Sequence, residues 1–234
     1  MVFSKKMNVK KNIKARSISS IRKAEFSKAA FEAVIRYGLR GTTLEKVGEI
    51  AGVSKGVVLH HFKDKSSLLE AVFRRSNAVL SKSFVELVRY AESPYDRLWA
   101  IAYANFSTSI YNKEVCQAWV TLLAEVPHNN ICQRIQYVNN QRIKSNLKHE
   151  LKHFLDSQKA DETANILSIL IDGIWVRAGL FMQIPDSEKA LDEFEFTIIN
   201  LMEATDEQRK QHKLARVKIK KIAEIALNSR FIQH

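Results

Sequence analysis

Residues 42–63 read TTLEKVGEIAGVSKGVVLHHFK, two short helical segments around a glycine. Thr42 followed by Glu45 has the spacing of a capping box, which predicts a helix start there. Leu44, Val47 and Ile50 or Ala51 then recur on one face at helical spacing. Gly52 stands where a left-handed C-cap favours glycine, and Val53 can pack into the angle that follows. Ser54 is a good N-cap for a second helix over residues 55–61. So short a helix is unstable alone and must lean on its neighbours. Helix, glycine turn, helix is the helix-turn-helix arrangement, whose second helix can enter the major groove with its N-terminal residues toward the bases. A plain helical hairpin in an all-α domain is the competing reading. The polar, basic surface left on the second segment, with Lys55, His60, His61, Lys63 and Lys65, favours DNA.

Charge supports the same reading. The 234 residues carry a net +12, of which residues 1–28 hold +8 and residues 206–234 hold +5, so the remainder carries −1. A basic arm beside a helix-turn-helix suits phosphate contacts, and without DNA such an arm is a solvated tail. With 7 Gly and 3 Pro, and no alternating runs, long helices are the natural reading. No secretory signal and no run of 18 apolar residues is visible, so a cytoplasmic protein with no membrane span is expected. Cys116 and Cys132 lack metal-ligand spacing and read as free thiols. No cofactor and no metal is expected.

Outward from the motif, the pattern predicts a first helix over 21–38 and a long helix from Lys65 to about Tyr90, capped by Asp64. Further helices are expected over 95–111, 114–126, 131–157, 161–183 and 187–203, and the tail after Thr205 is helix-compatible. The domain organisation expected is a basic arm (1–18), a DNA-binding domain (19–66), a ligand-binding and dimerisation domain (67–204) and a basic extension (205–234).

Residues 22–70 resemble the N-terminal domain of TetR-type transcriptional regulators. Gly38, Thr42-Thr43, Ile50-Ala51-Gly52-Val53-Ser54, Gly56, His61-Phe62, Lys65 and Leu68-Leu69 carry the resemblance. It implies an all-α homodimeric repressor with a C-terminal ligand domain. Val57-Val58, His60, Phe62-Lys63-Asp64-Lys65, Ala104-Asn105-Phe106, Ala118-Trp119 and Leu170–Ala178 are similar to the branch that represses glycine betaine synthesis in response to choline. Leu59 departs from the wider family, where a tyrosine that contacts phosphate is frequent. The expected partners are therefore a palindromic double-stranded operator, a second copy of the chain, and choline or a similar cation. A regulator of efflux or other metabolism with another ligand is the alternative. A basic, nucleoid-like binder using mainly its two ends is a further one.

On DNA, Lys55 at the positive end of the recognition helix can reach phosphate or guanine. Val57 and Val58 divide between thymine methyl contact and packing. Thr42, Thr43, Ser54, His60, His61 and Lys65 are further contact candidates, Gly56 permits close backbone approach, and Phe62 reads as core. In the ligand domain, Trp99, Tyr103, Phe106, Tyr111, Trp119 and Trp175 form a candidate aromatic cage, with Asn105 beside it. A quaternary ammonium makes no hydrogen bonds and needs aromatic faces and a carboxylate, for which Glu125 and Asp172 are candidates. The same aromatics could simply fill a helical core, and Asp172 and Trp175 could lie at a dimer interface that Gly173 and Gly179 let helices approach. His149-Glu150-Leu151-Lys152-His153 fits the zinc-protease pattern, but flanking lysines and the lack of a clear third ligand make metalloprotease a remote alternative.

Overall fold

The structure, a computed structural model, describes residues 2–181 and 184–227, with side chains from residue 21 onward except that of Lys65. The side chains of the basic arm (1–18), the Lys65 side chain and the last residues of the basic extension lie outside the described residues. The chain divides into two compact units, Met1–Ser76 and Asn77–His234. No strand occurs among the described residues.

The first unit contains α1 (Val2–Gly41), α2 (Leu44–Ala51), α3 (Lys55–His61) and the start of α4 (Lys65–Val88). Phe26, Ala29, Ala30, Ala33 and Val34 of α1 are buried with Val47, Val58, Phe62, Leu68 and Leu69. The regular run of α1 breaks at Gly38, with φ 64° and ψ 170°, as its glycine predicts. The expected capping box is displaced by one residue. Thr43 is the N-cap of α2 and accepts from the Lys46 N–H at 3.3 Å. Thr42 is instead buried and donates its hydroxyl to the Gly38 carbonyl at 2.8 Å, because that carbonyl is stranded by the break in α1. Gly52 closes α2 in the left-handed conformation, at φ 66°. Ser54 is the N-cap of α3 but makes no side-chain cap bond. Asp64 precedes α4 and its Oδ1 accepts from the Ser67 N–H at 2.7 Å.

The second unit is built on α5 (Pro94–Phe106), which starts in a full capping box between Ser93 and Asp96. Every residue from Leu98 to Phe106 is buried. α7 (Asn130–Leu151), α9 (Ser187–Leu201) and α10 (Asp206–Ala226) pack against it, while α6 (Lys113–Leu123) and α7 pack on α8 (Ser157–Leu180). A 3-10 turn at Val126–His128 joins α6 to α7. α5 ends at Phe106, not near residue 111, because Ser107 turns to an extended conformation and leaves Tyr111 on the loop before α6. Asp156 caps α8 by accepting from the N–H groups of Gln158 and Lys159, so α7 stops before it. Of the two α8 glycines, only Gly179 lies against α6: a Cβ there would stand 2.3 Å from the Cys116 carbonyl oxygen. Gly173 faces open space.

The tail after Thr205 is not a free extension. α10 begins in a capping box between Thr205 and Gln208 and buries His212, Ala215, Ile219 and Ala223. Polar residues such as Ser168, Asp172 and Arg177 interrupt α8, so it holds no unbroken run of 18 apolar residues, although its length and mean composition are those of a helix able to cross a membrane. It packs on α6, α7 and α9, and buries Leu167, Ile171, Ile174 and Trp175.

Inside α2, Gly48 leaves room for the turn: a Cβ would lie 2.7 Å from the Val53 carbonyl oxygen. Gly48→Ala is expected to destabilise the first unit by about 1–3 kcal/mol through forced backbone movement. Chemical denaturation of wild type and variant checks this, and equal stability would contradict the packing described.

Candidate DNA-reading helix and effector site

The recognition helix is defined by what it buries. Val58 and Phe62 are almost fully buried and fix α3 against the unit. Ser54, Lys55, Gly56, Val57, Leu59 and His60 are exposed, with Val57 38% and Leu59 46% accessible. The two valines thus divide as expected, Val58 inward and Val57 outward. Lys55 Nζ is ion-paired with Glu45 of α2, and both side chains are more than half exposed. An exposed pair of this kind is weak and leaves Lys55 free to exchange its carboxylate for a phosphate. Thr43 is exposed, whereas burial removes Thr42 from the surface.

The two histidines differ. His61 is half-buried, with its ring 4.9 Å from that of Phe26. Burial, and then the nearby charges of His60, Arg22 and Lys23, hold its pKa below the ordinary value. His60 is the exposed member of the pair.

In the second unit the aromatic candidates form two groups, not one cage. Phe106 and Tyr111 lie 5.4 Å apart, Tyr111 and Trp175 5.4 Å, and Trp175 and Trp119 6.4 Å between ring centroids. Trp99 and Tyr103 form the other group, with Phe194 5.9 Å from Trp99. The face of Trp99 is already covered by a cation. The Arg216 guanidinium of α10 stands 5.3 Å above its ring and pairs with Glu188, Asp192 and Glu195 of α9. Phe194 and Arg216 were missed in the sequence because nothing local ties either to Trp99. Lys218 Nζ reaches Asp96 at 2.9 Å and Glu92 at 2.6 Å, and Lys220 pairs with Glu188 at 2.6 Å.

The carboxylate candidates also separate. Asp172 sits three residues before Trp175 on α8, with no hydrogen-bond or ion-pair partner among the described residues, and burial pushes its pKa up to about 6. Glu125 lies in the turn between α6 and α7 and uses its backbone carbonyl to hold His128. Asn105 is buried and donates its amide to the Ile101 carbonyl at 2.8 Å. An open cleft of about 440 Å³ runs along α8 and the start of α9, lined by Tyr111, Leu170, Ile174, Arg177, Phe181 and Glu193 among others. Tyr111 is the one ligand candidate that lines it. Cys116 and Cys132 are buried, and burial raises the Cys116 thiol to about 12, as an inert core cysteine requires.

Known proteins give this geometry its context. Residues 27–72 match the tetR family of bacterial regulatory proteins, and residues 94–195 match the C-terminal domain of BetI-type transcriptional repressors. The HTH-type transcriptional regulator BetI of Burkholderia cenocepacia (strain J2315) is 35% identical over 187 residues, covering 80% of this chain and 96% of that protein. BetI of Pseudomonas aeruginosa (strain PAO1) is 34% identical over 174 residues, covering 74% and 88%. Among solved structures, a transcriptional regulator from Saccharomonospora viridis in complex with choline superposes with a TM-score of 0.66 at 19% identity, covering 76% of this chain and 96% of that one. A regulator from Pseudomonas aeruginosa PAO1 gives 0.63 at 22% identity, covering 79% and 92%.

Two groups of the second unit, buried His212 and half-buried Asp172, titrate in opposite senses. His212 has both ring nitrogens buried without partners, and burial lowers its pKa to about 4. The unfolded chain takes up a proton there below its ordinary pKa that the folded chain refuses, so His212 makes stability rise with pH across that window. Asp172, raised to about 6, keeps a proton that the unfolded chain has released, so it makes stability fall as pH rises to about 6. Asp172→Asn is therefore expected to steepen the rise of unfolding free energy between about pH 4 and 6, by up to ~1.4 kcal/mol per pH unit. Urea denaturation across this range checks it; parallel curves would mean that Asp172 ionises normally.

Proposed function

The chain belongs to the TetR family of transcriptional regulators and carries a BetI-type C-terminal domain, and on that premise we propose that it blocks an operator until a small organic cation binds its second unit. It is a transcriptional repressor, not an enzyme. The metalloprotease alternative falls with that membership, and Glu150 is ion-paired to Arg97 at 2.7 Å, not free to activate water.

The observation that carries the DNA reading is the outward face of α3. Lys55, Gly56, Val57 and His60 are exposed there while Val58 and Phe62 anchor the helix. In the proposed complex Lys55 leaves Glu45 for the DNA, Val57 meets a thymine methyl group, and Thr43 and His60 donate to phosphates. The protein acts in the cytoplasm as a homodimer, setting two α3 helices about 34 Å apart, or a multiple of a helical turn, on a palindrome. Exposed Ile166, Ile169 and Leu180 of α8 and Phe196 of α9 support a second copy covering these helices.

The effector is choline or a related cation, and the repressed genes convert choline to glycine betaine. Support comes from the choline-bound regulator of similar fold, and from a half-buried Asp172, without a hydrogen-bond or ion-pair partner among the described residues, on the helix that carries Trp175. A second reading, a different amphipathic effector, is favoured by the open cleft, which joins apolar Leu170, Phe181 and Ile184 to charged Arg177, Lys189 and Glu193.

Lys55→Ala is expected to weaken palindrome binding at least ~10-fold, within the cost of losing one specific base contact. Fluorescence anisotropy with palindromic and random duplexes measures it. Equal affinity for the two duplexes in the wild type would sink the operator reading in favour of non-specific attraction. Deleting residues 1–18 should only weaken binding; complete loss would make the arm the main binder. Choline should change tryptophan fluorescence and release the operator, with less effect in Asp172→Asn. No response to choline would remove the cation reading and leave the DNA reading standing.

A further inference from the structure

We propose that His149, Glu150 and His153 form a binding site for a divalent first-row transition metal, zinc first among them, at the C-terminal end of α7. The ligand atoms His149 N, Glu150 O and His153 N all lie within 4.8 Å of one another. Ligands around a tetrahedral zinc stand about 3.4 Å apart at bond lengths of about 2.0–2.2 Å, so the site needs a closure of up to about 1.4 Å. The two imidazoles can supply it. Both are exposed, with the His149 side chain 75% accessible, and they rotate without disturbing the core.

The third donor is held ready. The Glu150 side chain is only 8% accessible, and its Oε2 accepts from the Arg97 Nε at 2.7 Å. Its other oxygen, Oε1, points to His149, 3.0 Å from Nδ1. An arginine that fixes one carboxylate oxygen and leaves the second toward two histidines does what outer-shell partners do in metal sites. Without such a partner, two histidines four residues apart are a common surface feature of little consequence. Here the chain past α7 also bends in the right sense: the His153 N–H bonds to the Glu150 carbonyl at 3.1 Å, keeping His153 beside the helix end. Two imidazoles and one carboxylate suit zinc or its neighbours better than calcium or magnesium, which prefer all-oxygen sets. Water completes the coordination.

This arrangement differs from the protease pattern that the same five residues spell. There the glutamate must be free to activate water; here it is a ligand tied to Arg97. The site places the metal at the joint between α7 and α5, the helix on which the second unit is built, so it gives that unit a second, inorganic ligand.

Calorimetry of untagged, full-length protein with zinc chloride tests the proposal, together with the absorption of cobalt(II) added in its place. One equivalent is expected to bind, with intense visible cobalt bands of a four-coordinate site. His149→Ala and His153→Ala should each weaken zinc binding by at least ~10-fold, the loss typical even of outer-shell partners. Both side chains are exposed, so circular dichroism should show unchanged folds. Glu150→Gln should weaken binding too. If it binds zinc as the wild type does, the carboxylate is not a ligand and the proposed site is wrong. If the His149→Ala, His153→Ala double variant keeps wild-type affinity, the metal is elsewhere and the proposal is overturned.

Discussion

A helix buried on every side must be covered on every side, and α5 imposes that condition on the second unit. From Leu98 to Phe106 every residue is buried. One amphipathic partner cannot satisfy such a helix, since each neighbour covers only its own stripe. α7 and α9 cover two sides, and α10 packs along α5 more extensively than either, burying Ala215, Ile219 and Ala223. The C-terminal helix is therefore structural. It also brings charge to where α5 and α9 need it. Lys218 answers Asp96 and Glu92, and Arg216 answers the acids of α9 while lying on Trp99.

That placement alters the electrostatic reading of the chain. The last 29 residues carry +5 by sequence, and three of their cations, Arg216, Lys218 and Lys220, are held in intramolecular pairs. Arg216, shielded from solvent and ringed by three carboxylates, offers little to phosphate, whereas the exposed Lys220 pair is as exchangeable as that of Lys55. The basic balance free to attract DNA thus shifts toward the N-terminal arm and the exposed face of α3.

What the sequence made legible was whatever local chemistry controls. The bounds of α3 and the left-handed cap at Gly52 follow from residues within a turn of one another, and both are found as expected. The cap of α2 was not legible at single-residue precision. Thr42 and Thr43 have the same local propensity, and the choice between them is made by the Gly38 carbonyl, which needs a donor. The aromatic residues were legible as a set, but their partition was not. It depends on the early end of α5, which leaves Phe106 near Tyr111, and on Arg216, more than a hundred residues from Trp99. Helix ends at 151 and 157 were misread for a similar reason, because Asp156 starts α8 where the periodic pattern alone continues α7.

The partition narrows where an organic cation could act. The Trp99 face holds a guanidinium with three carboxylates around it, so a quaternary ammonium there would have to expel a well-paired arginine. The rings of Phe106, Tyr111, Trp119 and Trp175 form the second group, and Asp172 on the same helix as Trp175 is a half-buried carboxyl whose pKa burial raises to about 6. A cation placed beside Asp172 would recover the energy its burial withholds. Such a ligand can drive a conformational change only if one arrangement of the unit offers Asp172 to it and the other does not. For the proposed cation, the raised pKa of Asp172 would be a reserve of that kind, located on α8, whose outer face carries the apolar side chains proposed to meet a second copy.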